Sequence, residues 1–343
     1  MKFLFLGAGA IGTYVGGSLA AAGESVTFIE RPGTAAAITE HGLTVHTKSA
    51  TRVVRGVTAY GSAVEALAAG PYDIGVFALK SFDTQTALDE LVTTGHPVPT
   101  ILSLQNGVDN EPTIAATLGA GKVIAGTVAT AVSKPGVGEV VEEKHRGIGV
   151  ALGHPLSRPL VAALEAAQLS GRPFAHGPSM KWSKLLTNLT GNATSAIFDQ
   201  TVAELFADQR SYRLEVAVLS ECLAVMKAKG YRVVDLPGTP VRALALATRL
   251  PRFIAQPALT KALGAGRGEK MPSFHIDLHG GHGRTEVSFL NGAVARAGAQ
   301  AGVPTPVNRL LTDTLEALSA GDLPLDAYRH DPDALIAKLR SEA

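Results

Sequence analysis

Cysteine is almost missing from this chain, which has one, Cys222, among its 343 residues. A single cysteine excludes an intramolecular disulfide and a metal site built from several thiolates, and it is compatible with a reducing compartment. An excess of one charge sign is missing too, since 31 basic residues are balanced by 30 acidic ones. Without a strongly basic surface, nucleic acid and anionic membranes are excluded as partners, and we expect a small-molecule partner instead.

Long hydrophobic runs are also missing, and no segment has the about 18 uninterrupted apolar residues that a membrane span needs. The apolar N-terminus has some features of a secretory signal peptide, but Gly7, Gly9 and Gly12 interrupt it. Because the core of a signal peptide is an unbroken apolar run, we interpret this segment as the first strand of a domain. We therefore expect a cytoplasmic protein that has no membrane segment.

The first half of the chain alternates short apolar runs with helix-like stretches, the pattern of βαβ units that form a parallel sheet. The predicted strands are Lys2–Leu6, Ser25–Ile29, Ile74–Ala78, Thr100–Leu104 and Val123–Val128. Later in the chain, segments rich in alanine and leucine predict helices over Trp182–Phe198, Ala203–Lys229 and Arg284–Ala301.

Glycines and prolines between residues 171 and 178 separate these two patterns and are typical of a linker. A chain of this length is also expected to form two domains, because single cores stop growing near about 250 to 300 residues. The sequence therefore predicts an α/β protein. An N-terminal Rossmann-type parallel-sheet domain, residues 1–176, would precede a mainly α-helical domain, residues 177–343.

A glycine-rich turn follows the first predicted strand and opens a helix, in the order Gly7, Ala8, Gly9, Ala10, Ile11 and Gly12. This is the G-x-G-x-x-G pattern in the position that dinucleotide binding requires. The first glycine permits the turn, the second lets the backbone approach a pyrophosphate, and the third lets helix and strand pack closely. The alternative is that the glycines serve the turn alone.

Glu30 and Arg31 end the second predicted strand, where Rossmann domains bind the adenosine ribose. A glutamate accepts hydrogen bonds from the free 2′-hydroxyl of NAD, whereas an arginine can hold the 2′-phosphate of NADP. The two residues favour different cofactors, and the pattern leaves both open.

Several separated motifs resemble, in order, those of the ketopantoate reductase family. They are Gly7–Gly12 with Arg31, Phe77–Lys80, Leu104–Gly107, Trp182–Asn192, Pro272–Ser273 with Asp277, Arg284–Val287 and Leu290–Gly292. The resemblance covers almost the whole chain. It implies an oxidoreductase that uses NADPH to reduce a 2-oxo acid to a 2-hydroxy acid. The expected reaction is 2-dehydropantoate to pantoate, in pantothenate biosynthesis, with NAD open as the cofactor because of Glu30.

The resemblance also implies that the helical domain, residues 177–343, binds substrate and carries catalysis, and it implies roles for single residues. Lys184 would be the catalytic proton donor to the alkoxide that forms when hydride reaches the ketone carbon. The cofactor would be bound by Gly7–Gly12, Arg31, Lys80, Asn106 and Glu286. The substrate would be bound by Asn106, Asn188, Asn192 and Ser273.

The residues themselves support this interpretation in part. Lys184, Asn188 and Asn192 are spaced i, i+4 and i+8, which places them on one stripe of a helix. Structural alternatives remain open for each residue. The stripe could be a solvated helix face, and Glu286 could interact with the dipole at the start of a helix. Ser273 could cap a helix, and Lys80 and Asn106 could be loop residues without a ligand.

Two segments depart from the family's usual pattern, and both are expected near the substrate. Prolines and glycines interrupt the stretch between Lys229 and Lys270, and an extra residue with three glycines stands between Asp277 and Glu286. Two alternatives therefore stay open, a reductase of the same superfamily for another 2-oxo acid, and a dinucleotide-binding sensor that is not an enzyme. A homodimer is left open as the assembly.

Three histidines, His275, His279 and His282, have a spacing that could gather a metal ion. The H-E-x-x-H pattern is missing, and glycines surround the third histidine. We therefore expect no metal site.

Overall fold

The computed structural model describes residues 1–267, 271–281 and 283–341. The chain forms two compact units, Met1–Lys181 with Leu236–Thr239, and Trp182–Asp235 with Pro240–Ala343. The division follows Lys181, whereas the sequence predicts a boundary at residue 176.

The first unit contains an eight-stranded sheet and a four-stranded sheet. The strands are β1 (Lys2–Leu6), β2 (Ser25–Ile29), β3 (Leu43–His46), β4 (Thr51–Val54), β5 (Thr58–Tyr60), β6 (Ile74–Phe77), β7 (Thr100–Ser103), β8 (Val123–Val128), β9 (Ala131–Gly136), β10 (Glu139–Lys144), β11 (Ile148–Ala151) and β12 (Gly171–Phe174). All five predicted strands are present, with ends that agree to within one residue.

The large sheet has the strand order β12-β11-β8-β7-β6-β1-β2-β5. Its neighbouring strands run parallel except β8 and β11, which are antiparallel. Successive residues of β1 point to opposite faces, so Phe3 and Phe5 lie in one core cluster and Leu4 and Leu6 in another. A central strand that is buried on both faces reads as a continuous apolar run, which is why the sequence predicts it well.

The small sheet has the order β4-β3-β10-β9, and the sequence analysis does not predict it. In β3 and β10, buried residues alternate with partly buried ones over short lengths, so these strands lack the apolar runs of the large sheet. Tyr14 donates a 2.5 Å hydrogen bond to the buried carboxylate of Glu142 and so links the first helix to this sheet. Burial and this contact raise the pKa of Tyr14.

The helices of the first unit are α1 (Ala10–Ala21), α2 (Pro32–His41), α3 (Ala63–Ala68), α4 (Thr84–Thr93), α5 (Asn110–Leu118) and α6 (Ser157–Ala166), and α7 (Gly177–Leu189) begins in it. The predicted linker at 171–178 is wrong, because this segment forms β12 and the first residues of α7. Pro173 is tolerated in β12 because this strand lies at the edge of the sheet.

The second unit is helical. Its further helices are α8 (Asn192–Phe198), α9 (Val202–Ala207), α10 (Gln209–Ala228), α11 (Val241–Ala247), α12 (Arg252–Arg267), α13 (Ser273–His279), α14 (Asn291–Ala301), α15 (Pro306–Ala320) and α16 (Pro332–Ser341). The α/β fold with a mainly helical second part is confirmed. Among the described residues, no helix has the length and apolar character to cross a bilayer.

Each of the three long helices predicted for this unit is interrupted. Gly191, with a φ of +64°, separates α7 from α8, and Asp208 separates α9 from α10, where its side chain accepts from the amides of Arg210 and Ser211. The third predicted helix, Arg284–Ala301, is divided into a short 3-10 helix, Val287–Phe289, and α14, which begins at Asn291. Apolar periodicity continues across such breaks, so it does not reveal them.

Candidate active site

The glycine-rich turn lies between β1 and α1, and its geometry explains two of its glycines. Gly7 has a φ of +96°, which an L-residue with a side chain rarely adopts. A Cβ atom at Gly12 would stand 1.9 Å from the carbonyl oxygen of Gly7, so only glycine lets the helix approach the strand. At Gly9 a Cβ atom would meet nothing nearer than 3.9 Å.

Gly9 is the N-cap residue of α1. Among the described residues, no side chain forms a capping hydrogen bond at this end of the helix. The first turn of a helix presents backbone amides and a positive dipole end, which together bind phosphate. The open space beside Gly9 and the uncapped end of α1 therefore fit the pyrophosphate of a dinucleotide.

The peptide group of Ala8, inside this turn, has charged side chains on both sides. Its N–H donates to the carboxylate of Glu30 at 2.6 Å. Its carbonyl oxygen accepts from the Thr13 hydroxyl at 3.0 Å and from the Lys134 ammonium at 2.9 Å. Glu30 is thus held against the glycine-rich turn.

Arg31 contributes to this arrangement through its backbone. Its amide donates to the second carboxylate oxygen of Glu30 at 3.1 Å, and the residue is the N-cap of α2. Its side chain is exposed. Glu30 therefore has a position fixed by two backbone amides.

Lys134 is a residue of this site that no sequence motif indicates. It lies on β9 of the small sheet, 126 residues from Ala8 along the chain, and places a positive charge beside the turn that fits a pyrophosphate. No local motif surrounds Lys134, so only the docking of the small sheet identifies it.

Lys80 and Asn106 lie where the sequence predicts them, after the neighbouring parallel strands β6 and β7. Lys80 is half-buried and Asn106 is exposed. The backbone carbonyl of Asn106 accepts from Ser81 at 3.0 Å and from the Asn110 amide at 2.6 Å. Both residues therefore stand at the carboxyl edge of the sheet, where open α/β folds bind ligands.

A buried polar network stiffens these two loops. Gln105 donates to the Thr84 hydroxyl at 2.8 Å, and Thr84 donates to Asn110 at 2.9 Å. Gln105 also donates to the backbone carbonyl of Lys80 at 3.4 Å. These hydrogen bonds, with that from Asn110 to the carbonyl of Asn106, join the two loops that carry Lys80 and Asn106.

A buried lysine, Lys181, lies near this edge of the sheet and is not part of any motif found in the sequence. Its ammonium donates to the carbonyls of Gln105 at 2.6 Å and Gly126 at 3.3 Å, and it pairs with Glu111 at 2.8 Å. These contacts anchor the first turns of α7 to the ends of β7 and β8. We assign Lys181 a structural role, because all of its donors are directed at protein acceptors.

Lys184 and Asn188 lie on α7 and are half-buried. The predicted stripe does not reach Asn192, because α7 ends at Leu189 and Asn192 begins α8. The break at Gly191 is held by Glu215, a buried residue of α10 that accepts from the Gly191 amide at 2.7 Å. The expectation of one continuous helix through all three residues is therefore wrong.

Asn192 and Ser273, both predicted to bind substrate, contact each other. Asn192 Nδ2 lies 3.4 Å from the Ser273 hydroxyl, and Asn192 Oδ1 accepts from the amide of Phe274 at 3.0 Å. The buried asparagine thereby caps the N-terminus of α13, whose own N-cap, Pro272, has no side-chain cap.

Glu286 is 5% exposed and lies immediately before the 3-10 helix Val287–Phe289. It does not begin an α-helix, so the structural alternative of a contact with an α-helix dipole does not apply. Of the three histidines, His275 and His279 lie on α13, whereas His282 is outside the described residues.

Comparison with protein families decides the assignment. The model for "Ketopantoate reductase PanE/ApbA" matches residues 3–152, and that for "Ketopantoate reductase PanE/ApbA C terminal" matches residues 179–319. The chain belongs to the ketopantoate reductase family. The resemblance in the sequence motifs is confirmed, and it extends through both units.

Relatives of this ketopantoate reductase family member include curated 2-dehydropantoate 2-reductases. One from Halobacterium salinarum is 28% identical over 323 residues, which is 91% of this chain and 97% of the relative. Those of Streptococcus pyogenes are also 28% identical, but the match spans 139 residues, 40% of this chain and 39% of their length.

Solved structures of similar proteins cover nearly the whole chain. A PanE/ApbA family ketopantoate reductase from Ralstonia eutropha JMP134 is 30% identical with a TM-score of 0.80, over 94% of this chain and 99% of the other. A D-mandelate dehydrogenase in a ternary structure with NADH and anilino(oxo)acetate is 21% identical with a TM-score of 0.76, over 94% and 99%. This second likeness concerns the fold alone.

Proposed function

We propose that this protein is a nicotinamide-dependent reductase that converts a 2-oxo acid to a 2-hydroxy acid. The observation that carries the proposal is the glycine-rich turn at the uncapped N-terminus of α1, in a chain whose two parts both match ketopantoate reductase models. The nicotinamide, when bound, would supply the hydride that reaches the carbonyl carbon.

The turn and the first residues of α1 would hold the pyrophosphate, with Lys134 adding a positive charge at the carbonyl of Ala8. We propose NADH as the preferred cofactor, in place of the NADPH that the family resemblance implies. Glu30 supports this choice, because its carboxylate is fixed on two backbone amides at the end of β2, where it can accept from a free 2′-hydroxyl and would repel a 2′-phosphate. The exposed Arg31 side chain is the feature that favours NADPH.

Lys184 would donate a proton from its ammonium to the carbonyl oxygen as negative charge develops there. A positioned ammonium both supplies the proton and stabilises the oxyanion. Asn188, one turn further along α7, would donate hydrogen bonds to the oxygen atoms of the substrate. Asn192 and Ser273 would do so at the start of α13, and Glu286 would contact the substrate hydroxyl or the ribose of the nicotinamide.

The first candidate substrate is 2-dehydropantoate, since the curated relatives are named for it. A second candidate is another bulky 2-oxo acid. It is favoured by the segment between α10 and α13, where α11 has seven residues and α12 contains Pro257. The likeness in fold to a D-mandelate dehydrogenase shows which kind of substrate to include in a test.

The experiment is a substrate panel. The purified protein is assayed for oxidation of NADH and NADPH with 2-dehydropantoate, 2-oxoisovalerate, benzoylformate and pyruvate. The proposal expects turnover of at least one 2-oxo acid, with a 2-hydroxy acid as the product. Cofactor binding without turnover of any member would contradict it and favour the dinucleotide-binding sensor.

A further inference from the structure

Two helices of the second unit bring together three side chains that bind metals. His275 and His279 lie on α13, and Asp199 directly follows the last residue of α8. One ligand atom from each of the three lies within 4.8 Å of the other two. We infer that these residues form a binding site for a divalent transition metal ion, with zinc as the best match.

The two histidines have the spacing of a helical ligand pair. Residues i and i+4 share a helix face, and the rings of His275 and His279 have centroids 4.2 Å apart with their planes inclined by 30°. In the H-E-x-x-H motif the two histidines bind the metal and the glutamate acts as a base. The missing glutamate is one reason why the sequence predicts no metal site. Its absence after His275 removes only the base, however, and leaves the ligand pair of His275 and His279 intact.

Asp199 supplies the third ligand, which no local sequence pattern indicates. Its Oδ1 lies 2.7 Å from Nε2 of His275, the distance of a hydrogen bond, and a metal ion bound by both atoms would replace this hydrogen bond. Its other oxygen, Oδ2, is paired with the Arg329 guanidinium at 2.9 Å. This pairing leaves Oδ1 for coordination by a single oxygen, and such outer contacts orient ligating carboxylates.

His279 is held in place by a backbone contact as well. Its Nε2 lies 3.1 Å from the carbonyl oxygen of Ala196, in α8. A hydrogen bond from one ring nitrogen to a backbone carbonyl is the usual device that orients metal-ligating histidines. His275 is 14% exposed, Asp199 is 24% exposed and His279 is exposed, so the site lies at the surface and is open to an ion from solvent.

The donor set selects the metal. Imidazole nitrogen suits zinc, copper, iron and nickel, and two imidazoles with one carboxylate are a frequent protein ligand set for zinc, with water in a fourth position. The site would join α8 and α13 at a second point. They are already joined where Asn192, the first residue of α8, contacts Ser273, the first residue of α13. A bound ion would therefore clamp the helix that carries Ser273.

The test is a titration of the full-length, tag-free protein with zinc chloride by calorimetry, and with cobalt(II) by visible absorption. One zinc ion per chain is expected, together with the intense visible bands of four-coordinate cobalt. His275→Gln, His279→Gln and Asp199→Asn should each weaken binding by about tenfold or more. Asparagine is chosen because residue 199 has a φ of +51°, which asparagine tolerates.

The matched control is His41→Gln, which removes an exposed histidine beside Glu40 on α2. Its zinc affinity should equal that of the wild type. Zinc should also raise the Tm of the wild type and of this control, but not that of His279→Gln. Two results would overturn the proposal: no stoichiometric zinc binding by the wild type, or an affinity that the three ligand substitutions leave unchanged. Circular dichroism of each variant checks that it is folded.

Discussion

Replacing Glu30 with glutamine should shift cofactor preference toward NADPH. The Glu30 carboxylate lies 2.6 Å from the Ala8 amide nitrogen and 3.1 Å from that of Arg31, so its charge is fixed beside the glycine-rich turn. Glutamine has the same size and still offers an oxygen to the Ala8 amide. The substitution thus removes the charge and leaves the turn supported.

The size of the effect follows from the charges. A 2′-phosphate carries about two negative charges, and at about 6 Å one carboxylate opposes it by about 1.4 kcal/mol in a dielectric of about 80 and by about 5.5 kcal/mol in one of about 20. Glu30 is half-buried at the surface, and salt screens it. We therefore expect a gain of about 1.4 to 2.8 kcal/mol for NADPH relative to NADH, or about 10- to 100-fold.

The assay is kcat/KM for both reduced cofactors at a saturating concentration of one 2-oxo acid, in the wild type and the Glu30→Gln variant. The matched control is Glu40→Gln, which removes an exposed carboxylate from α2 in the same unit. The control should leave the ratio of the two kcat/KM values unchanged. Raising the salt concentration should reduce the difference between the variant and the wild type.

A wild type that prefers NADPH, with a ratio that Glu30→Gln does not change, would contradict the role of Glu30. In that case Arg31→Ala should lower the preference for NADPH, and the arginine would be the residue that binds the 2′-phosphate. A preference for NADH that Arg31→Ala leaves unchanged would support the role of Glu30.

Three further substitutions test the rest of the site. Lys184→Ala should lower kcat by roughly two to four orders of magnitude with little change in cofactor affinity. Lys184→Arg should also have a low kcat, because a guanidinium holds its proton too tightly. A near-normal kcat for Lys184→Ala would contradict the proton-donor role. Gly12→Ala should abolish dinucleotide binding and lower the Tm, because the new Cβ would stand 1.9 Å from the carbonyl oxygen of Gly7. The control Gly33→Ala should change neither, because the space around Gly33 is open. Asn192→Ala should lower the stability by about 1 kcal/mol, measured by denaturant unfolding, because the Phe274 amide loses its cap at 3.0 Å; unchanged stability would show that the cap is unimportant.

Much of the first unit could be predicted because its signals are local. The central strands are buried on both faces and therefore appear as short apolar runs, and β1, β2 and β8 have the ends predicted for them. The glycine-rich turn is equally local, since its backbone conformation and close contacts involve a few consecutive residues and the strand beside them.

The second unit was harder to predict because its helix breaks depend on partners far along the chain. The sequence between Trp182 and Phe198 has a continuous helical pattern, yet Glu215 binds the Gly191 amide and stabilises the break between α7 and α8. Asn192 therefore caps α13 and does not continue the stripe that begins at Lys184.

By itself, the sequence determined the α/β class, the place of the dinucleotide turn and the family, because these depend on periodicity, glycine spacing and motif order. The tertiary structure alone decided that Glu30 is fixed on the Ala8 amide, that Lys134 reaches the same peptide from another sheet, and that Asp199 joins the two histidines of α13. Each of these contacts joins residues that are far apart in the chain, and side chains of such residues meet only after the strands and helices have packed.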